Sequence, residues 1–309
     1  EWQQVLSLNQ LSILAHNGIA KNYLQTYEYQ LAADHFKIAG NRDQYSDAFW
    51  EIRNMWLQAN LIWIIAVTFV VTVSYFILKL VDRKHKIFDP LRRVVQKTEN
   101  VRLINDVLYM REVFHKPSDY YYNLRKKRRG SYVGAFLILL LTFLSYLYYI
   151  AGKGFIFQTV AIQDIDLNSI VLGFVVLIGL FILCSYLVTS IQDGEGTLGE
   201  IFKGFVYSLW PFILGSVLST LFSYIATNNE LFLLNLIFYF GLAGSALFIF
   251  ISIAEIQNYS FWQTVKSVLL TILFVLVIFL VISFLQMTIK QLFSFVIEFF
   301  KEVVRNVIG

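Results

Sequence analysis

The groups in this 309-residue chain that could do chemistry are few, and most lie too far apart to act together. Four histidines, His16, His35, His85 and His115, show no metal-ligand spacing and stand beside no nucleophile motif. His16 and His35 can meet across a helical hairpin, but two imidazoles alone read first as packing or surface groups. The single cysteine, Cys184, sits inside an apolar run, so no disulfide framework exists and a small packing role fits it. Neither a Walker loop nor a Rossmann glycine pattern occurs. A compact polar constellation stands at QDGEGTLGEIFKG, residues 192–204. Thr197 and Glu200 stand three apart, as a capping box requires, with a stabilisation of about 1 kcal/mol. Gly194 and Gly196 supply the flexible turn before them. Asp193 and Glu195 are left over, and two carboxylates without further ordered oxygens make a poor calcium or magnesium site. They read instead as candidate partner contacts. No catalytic, cofactor or metal role is therefore expected of any residue, and the chain reads as a non-enzyme.

The elements that carry these groups must be membrane helices. Six apolar runs, 57–81, 132–152, 169–190, 205–226, 231–253 and 261–287, each reach the roughly 20 residues needed to cross a bilayer. A composition of 57% hydrophobic, 17% aromatic and 15% charged residues agrees. Runs such as Phe136–Leu141 and Leu269–Val281 do not alternate in polarity, which excludes a membrane barrel. The expected fold is an all-α polytopic bundle: one span followed by a five-helix core over 132–287. No Asp, Glu, His, Lys or Arg lies deep in any of these runs. Proton relays and ion-coupled carriers place such groups near the midplane, so an active carrier is disfavoured.

Orientation follows from residues 82–131, which hold fourteen Lys and Arg against six acids. The positive-inside rule makes this segment cytoplasmic and puts residues 1–56, with four Lys/Arg against six acids, outside. Six crossings then put the C-terminal segment 288–309 outside as well, with Lys290, Lys301 and Arg305 as a minor conflict. The chain begins at Glu1 without an initiator methionine or a basic-plus-apolar leader. A signal peptide and further sequence are expected to precede it.

Within 1–56, the small and apolar positions Ile19, Ala20, Tyr23, Ala32, Phe36 and Ala39 fall on the inner faces of one helical hairpin over 15–40. This segment resembles a tetratricopeptide repeat, with Tyr27 at the usual turn glycine and Gln44 at the terminal proline. A plain amphipathic hairpin is the alternative, and a single hairpin of either kind needs a partner to cover its apolar face. A further helix over 44–58 runs into the first span, with Trp50, Trp56 and Trp63 spaced along it and the last two suited to an interfacial belt.

Between the first two spans, Val94, Val101, Ile104, Leu108 and Val113 form a helical stripe flanked by cations. The pentad Arg125, Lys126, Lys127, Arg128 and Arg129 abuts the second span and is first a determinant of topology. Contact with anionic lipid headgroups is its second reading, at about 1 kcal/mol per cation near the surface. Nucleic-acid binding is not expected, because no reader motif accompanies these charges.

The order of features is specific to a family. The segment DVLYMREVFHKPSDYYYNLRKKRRGS (106–131) is followed by a span. Gly194–Glu195–Gly196–Thr197, Tyr207 and Pro211 then fall within YLVTSIQDGEGTLGEIFKGFVYSLWPFIL (186–214). Asn258, Tyr259 and Ser260 open the following AEIQNYSFW run. Over about 106–290 this pattern resembles the bacterial branch of the Yip family, the membrane proteins named for interaction with Ypt/Rab GTPases. The resemblance implies five membrane helices, here preceded by one span and an extracellular segment, in a bacterial plasma membrane. Eukaryotic members act in vesicle traffic, and no defined activity transfers. Some bacterial members with extracellular additions accompany sugar-importing ABC transporters, which implies an accessory role.

Pro211 can kink the fourth span, and Gly215 and Ser219, like Gly241, Gly244 and Ser245 in the fifth, offer small-residue packing faces. The C-terminal segment 288–308 is amphipathic, with Ile289, Leu292, Phe293, Val296, Phe300, Val303 and Val307 on one face. It suits the outer interface or a groove on a neighbour, and Phe293 and Phe300 are its candidate contacts. The functional reading is a non-catalytic accessory or scaffold subunit that anchors an extracellular helical domain and docks on a membrane complex, such as a sugar ABC importer. A channel or carrier, and a membrane-shaping protein, are the alternatives.

Overall fold

The computed structural model describes residues 1–85, 111–126 and 130–308. Among the described residues every regular element is helical, and six helical stretches are long and apolar enough to cross a membrane. This is the polytopic all-α architecture expected from the sequence. Residues Val94, Val101, Ile104 and Leu108 of the basic stripe lie outside the described residues, as do Lys127, Arg128 and Arg129.

The chain divides into two compact units. The first comprises 1–111, 131–165 and 209–246. It opens with α1 (Trp2–Leu8), α2 (Ile13–Gln25) and α3 (Tyr29–Ile38). Helices α2 and α3 form the expected hairpin around Ala20, Ala32, Ala33 and Phe36, closed by Ala48 of α4 (Arg42–His85). The turn is sharp because Tyr27 takes φ 64°, the left-handed conformation that glycine usually supplies, and the Glu28 amide donates back to the Tyr23 carbonyl at 2.9 Å. Gly40, at φ 69°, ends α3 in the same way. Helix α4 runs without interruption from this hairpin through the first span, so 44–58 and 57–81 are one element.

The same unit holds α7 (Tyr132–Ala151), α10 (Trp210–Phe222) and most of α11 (Leu231–Gln257). The small residues of α10 and α11 pack as expected. A Cβ on Gly215 would lie 2.8 Å from the Gly241 Cα, so only glycine permits this approach. Ser219 donates to the Leu234 carbonyl at 3.0 Å, and the Ser245 hydroxyl accepts from the Phe212 amide at 2.9 Å. Pro211 does not kink a continuous helix: α9 (Leu198–Tyr207) ends before it, and Pro211 occupies the first turn of α10, where a missing N–H is harmless. The fourth crossing is therefore two short helices over 198–222, not one run over 205–226.

The second unit comprises 112–130, 166–208 and 247–309. Beside the short α5 (Arg111–His115), it contains α6 (Pro117–Lys126), α8 (Leu167–Ile191), α9, the end of α11, and α12 (Phe261–Ile308). Helix α6 is short and amphipathic, burying Tyr120, Tyr121 and Leu124. The last span and the amphipathic tail are one unbroken helix of 48 residues.

Candidate functional site

In the second unit, two helix ends and one connecting loop converge. Helix α8 ends with Asp193 at φ 56°, and the Gly194 amide donates to the Thr189 carbonyl at 2.8 Å. Helix α11 ends the same way, with Asn258 at φ 59° and the Tyr259 amide on the Ala254 carbonyl at 2.9 Å. Asparagine and aspartate are the side chains that best tolerate this left-handed cap. Both ends are thereby turned sharply, and the residues that follow face each other.

Gln257 holds the two turns together. Its Oε1 accepts from the Gly196 amide at 2.8 Å and its Nε2 donates to Thr189 Oγ1 at 3.2 Å, with the residue 2% exposed. The Tyr259 hydroxyl reaches the carbonyls of Thr189 and Gln192, both at 3.1 Å. Backbone must pass close here: a Cβ on Gly196 would lie 2.6 Å from Ile256, and one on Gly194 would lie 2.8 Å from the Tyr259 hydroxyl. The glycines of the loop thus serve close approach as well as turning. Thr197 and Glu200 form the complete capping box that starts α9. Gln263 reaches back to the Ser260 amide at 2.8 Å and starts α12.

Glu195 joins a third element to this pair. One carboxylate oxygen accepts from Arg125 at the end of α6, and the other accepts from Asn258 Nδ2 at 3.2 Å. The Arg125 hydrogen bond, then that of Asn258, then the charges of Arg125 and Lys126 hold the Glu195 carboxyl below its ordinary range. Its side chain is half-exposed while that of Arg125 is largely covered. One turn away, the Tyr121 hydroxyl donates to Ser208 Oγ at 2.6 Å, and Ser208 Oγ in turn donates to the Gly204 carbonyl at 2.7 Å. Burial pushes the Tyr121 phenol up, so it stays a donor. Tyr207 packs its ring on Tyr120, and Gly130, at φ 86°, lies against the same ring.

The residues singled out from sequence therefore separate. Arg125, Gly194, Glu195, Gly196, Asn258 and Tyr259 meet in one polar clasp; Thr197 and Ser260 begin the helices that leave it. Asp193 supplies the cap, and Lys126 is exposed. Pro211 belongs to the first unit, and Phe293 and Phe300 stand exposed on α12. Both Glu195 oxygens already have donors, and no group of three or more potential metal ligands occurs among the described residues. Gln257 was missed, because a glutamine near a helix end carries no pattern in sequence.

A second polar clasp, also absent from the sequence reading, lies in the first unit. Arg53 of α4 grips Glu230 through two bonds of 2.7 and 2.8 Å and donates to the Ile225 carbonyl at 2.6 Å. Trp50 lies under the guanidinium at 4.9 Å. Asn228 adds bonds to Ser46 and Asp43, each 2.9 Å. The Arg53 hydrogen bond, despite partial burial, holds the Glu230 carboxyl below its ordinary range.

The chain has no match among curated proteins or solved structures. The family model described as the Yip1 domain matches residues 111–284, a stretch that includes every residue of the Arg125–Glu195–Asn258 clasp. Because that match covers more than half of the chain, this multi-pass membrane protein belongs to the Yip1 domain family.

Proposed function

We propose that the chain is a non-catalytic accessory or scaffold subunit of a bacterial plasma membrane. It fixes a tetratricopeptide-like helical domain to a Yip-type membrane core and associates with another membrane complex, a sugar-importing ABC transporter being the leading case. The observation that carries this reading is the attachment of the first hairpin. Helix α4 is continuous from the hairpin into its span, and Arg53, Asp43 and Ser46 clamp it to the connection at 225–230. A bidentate guanidinium–carboxylate pair fixes direction as well as distance, which a tether would not do. A domain held this way is placed to present a surface.

The unbroken course of α12 supports a protein groove over the membrane surface as the site of its tail. A helix that leaves its span without a break carries Phe293 and Phe300 out of the bilayer instead of laying them flat on it. Purification of the full chain in mild detergent tests the proposal: a stoichiometric membrane partner is expected, and a lone monodisperse monomer overturns it. Solute flux through liposomes holding this chain alone would establish the channel reading in its place.

A further inference from the structure

The two imidazoles of the first hairpin do meet. His16 Nδ1 lies 2.8 Å from His35 Nδ1, and His16 Nε2 lies 2.9 Å from the Gln10 carbonyl oxygen. A carbonyl only accepts, so His16 Nε2 carries a hydrogen. One further hydrogen must then lie between the two Nδ1 atoms. With both rings neutral, His35 donates it to His16. A first added proton leaves this bond intact and gives the pair one shared positive charge. A second puts N–H groups on both facing nitrogens and sets two cations against each other, their ring centroids 5.0 Å apart. His16 is only 6% exposed and His35 is half-buried, so water screens the two charges only in part.

The surroundings do not offset that repulsion. Tyr23 of α2 stacks on His35, with ring centroids 5.7 Å apart. Helix α1 carries no titratable side chain beyond its cap, Glu1; α2 adds Lys21; α3 and its cap add Glu28, Asp34 and Lys37; and the part of α4 before the span, packed on α3, adds Arg42, Asp43, Asp47, Glu51 and Arg53. Of these, Asp34 is the one whose charge favours protonation of His35, and burial together with His16 outweighs it, so the His35 imidazole is held below its ordinary value. The pair also ties three pieces together. It joins α2 to α3 directly, and through Gln10 it holds the connection from α1, whose Trp2 ring rests on Gly18.

We infer that the His16–His35 pair is a pH-sensitive clasp that holds α1 and the 9–12 connection on the α2–α3 hairpin near neutrality and releases them when both rings become charged. The sign follows from proton linkage. A histidine held below its ordinary value binds fewer protons in the folded than in the unfolded chain, so its contribution is complete above the ordinary value of 6.5 and is lost as pH falls below it. The hairpin core of Ala20, Ala32 and Phe36 does not titrate. Release is accordingly confined to the segment that the pair holds.

Amide hydrogen exchange of residues 1–16, measured on the full chain in nanodiscs and divided by the intrinsic rate at each pH, tests the clasp. Between about pH 7.5 and about pH 5 the protection is expected to fall about tenfold or more. In His35→Gln the side-chain amide can donate to a neutral His16 Nδ1 or, turned about, accept from a protonated one, and two cations no longer face each other, so protection should stay within about twofold over the same range. Undiminished protection in the natural sequence overturns the inference, and so does an equal loss in His35→Gln. Where His35→Gln shows no protection at either pH, the imidazole ¹⁵N titration of the natural sequence decides. Two coupled steps support the clasp, and two independent titrations at the ordinary histidine value refute it.

Discussion

Asn258 combines two roles that substitution can separate. Its backbone occupies the left-handed region at φ 59°, and its side chain binds Glu195. Asn258→Gly keeps the backbone role and loses the bond; Asn258→Val loses both and adds strain. If the turn dominates, thermal unfolding in detergent will show a change under about 1 kcal/mol for the glycine variant and a further loss of about 1–3 kcal/mol for valine. Glu195 gives a pH signature instead. Its carboxyl is held below the ordinary glutamate value of 4.5, so the ion pair contributes above that value and is lost as pH falls through the lowered one. Glu195→Gln should therefore unfold with a flatter acid limb than the natural sequence, and identical limbs would show that the Arg125 contact is inert. Part of this site was legible in the chain itself. The Thr197–Glu200 box depends on a spacing of three and is present as read. Gln257 was not legible, since its partners Gly196 and Thr189 stand 61 and 68 positions away.

Two kinds of helix contact here rest on side chains that are absent or paired. The contact of α10 with α11 rests on Gly215 and Gly241, and their small neighbours announced it. Gly241→Leu should leave little folded protein by size-exclusion chromatography, because the side chain meets backbone that cannot yield. Gly173→Leu on α8 is the control: open space surrounds that position, and normal yield is expected. The Arg53–Glu230 pair rests on partners 177 positions apart, and no sequence pattern exposed it. Both side chains are about four-fifths covered, so Glu230→Gln should cost roughly 1–2 kcal/mol, discounted for the solvent that remains. The loss belongs above the ordinary value of 4.5 and should shrink as pH falls through the lowered Glu230 value, which thermal unfolding across pH would record. Hydropathy located the spans because burial in lipid is a property of composition over about 20 residues. It did not locate the break at Ser208–Leu209, which polar contacts of Tyr121 and Ser245 accommodate without altering the mean hydropathy.

At the scale of the whole molecule, six helices long and apolar enough to cross a membrane would return the chain to the side on which it began, and the positive-inside rule makes the basic segment the cytoplasmic one. Helices α4 and α12, at 1.5 Å per residue, are each roughly twice the thickness of a hydrocarbon core, so both must project well beyond it. In the orientation expected from the charge of residues 82–131, both projections lie outside and the Arg125 clasp faces the cytoplasm. Cys184 is buried and lies in a span, so Cys184→Ser provides a background without competing thiols. In that background, single cysteines at Lys37 and at Glu302 should react with a membrane-impermeant maleimide on intact cells, whereas one at Lys126 should react only after permeabilisation. Labelling of Lys126→Cys alone on intact cells would invert the molecule, placing the α2–α3 hairpin in the cytoplasm. An extracellular partner for the hairpin would then be impossible, whereas the clasp geometry, which depends on no membrane polarity, would stand.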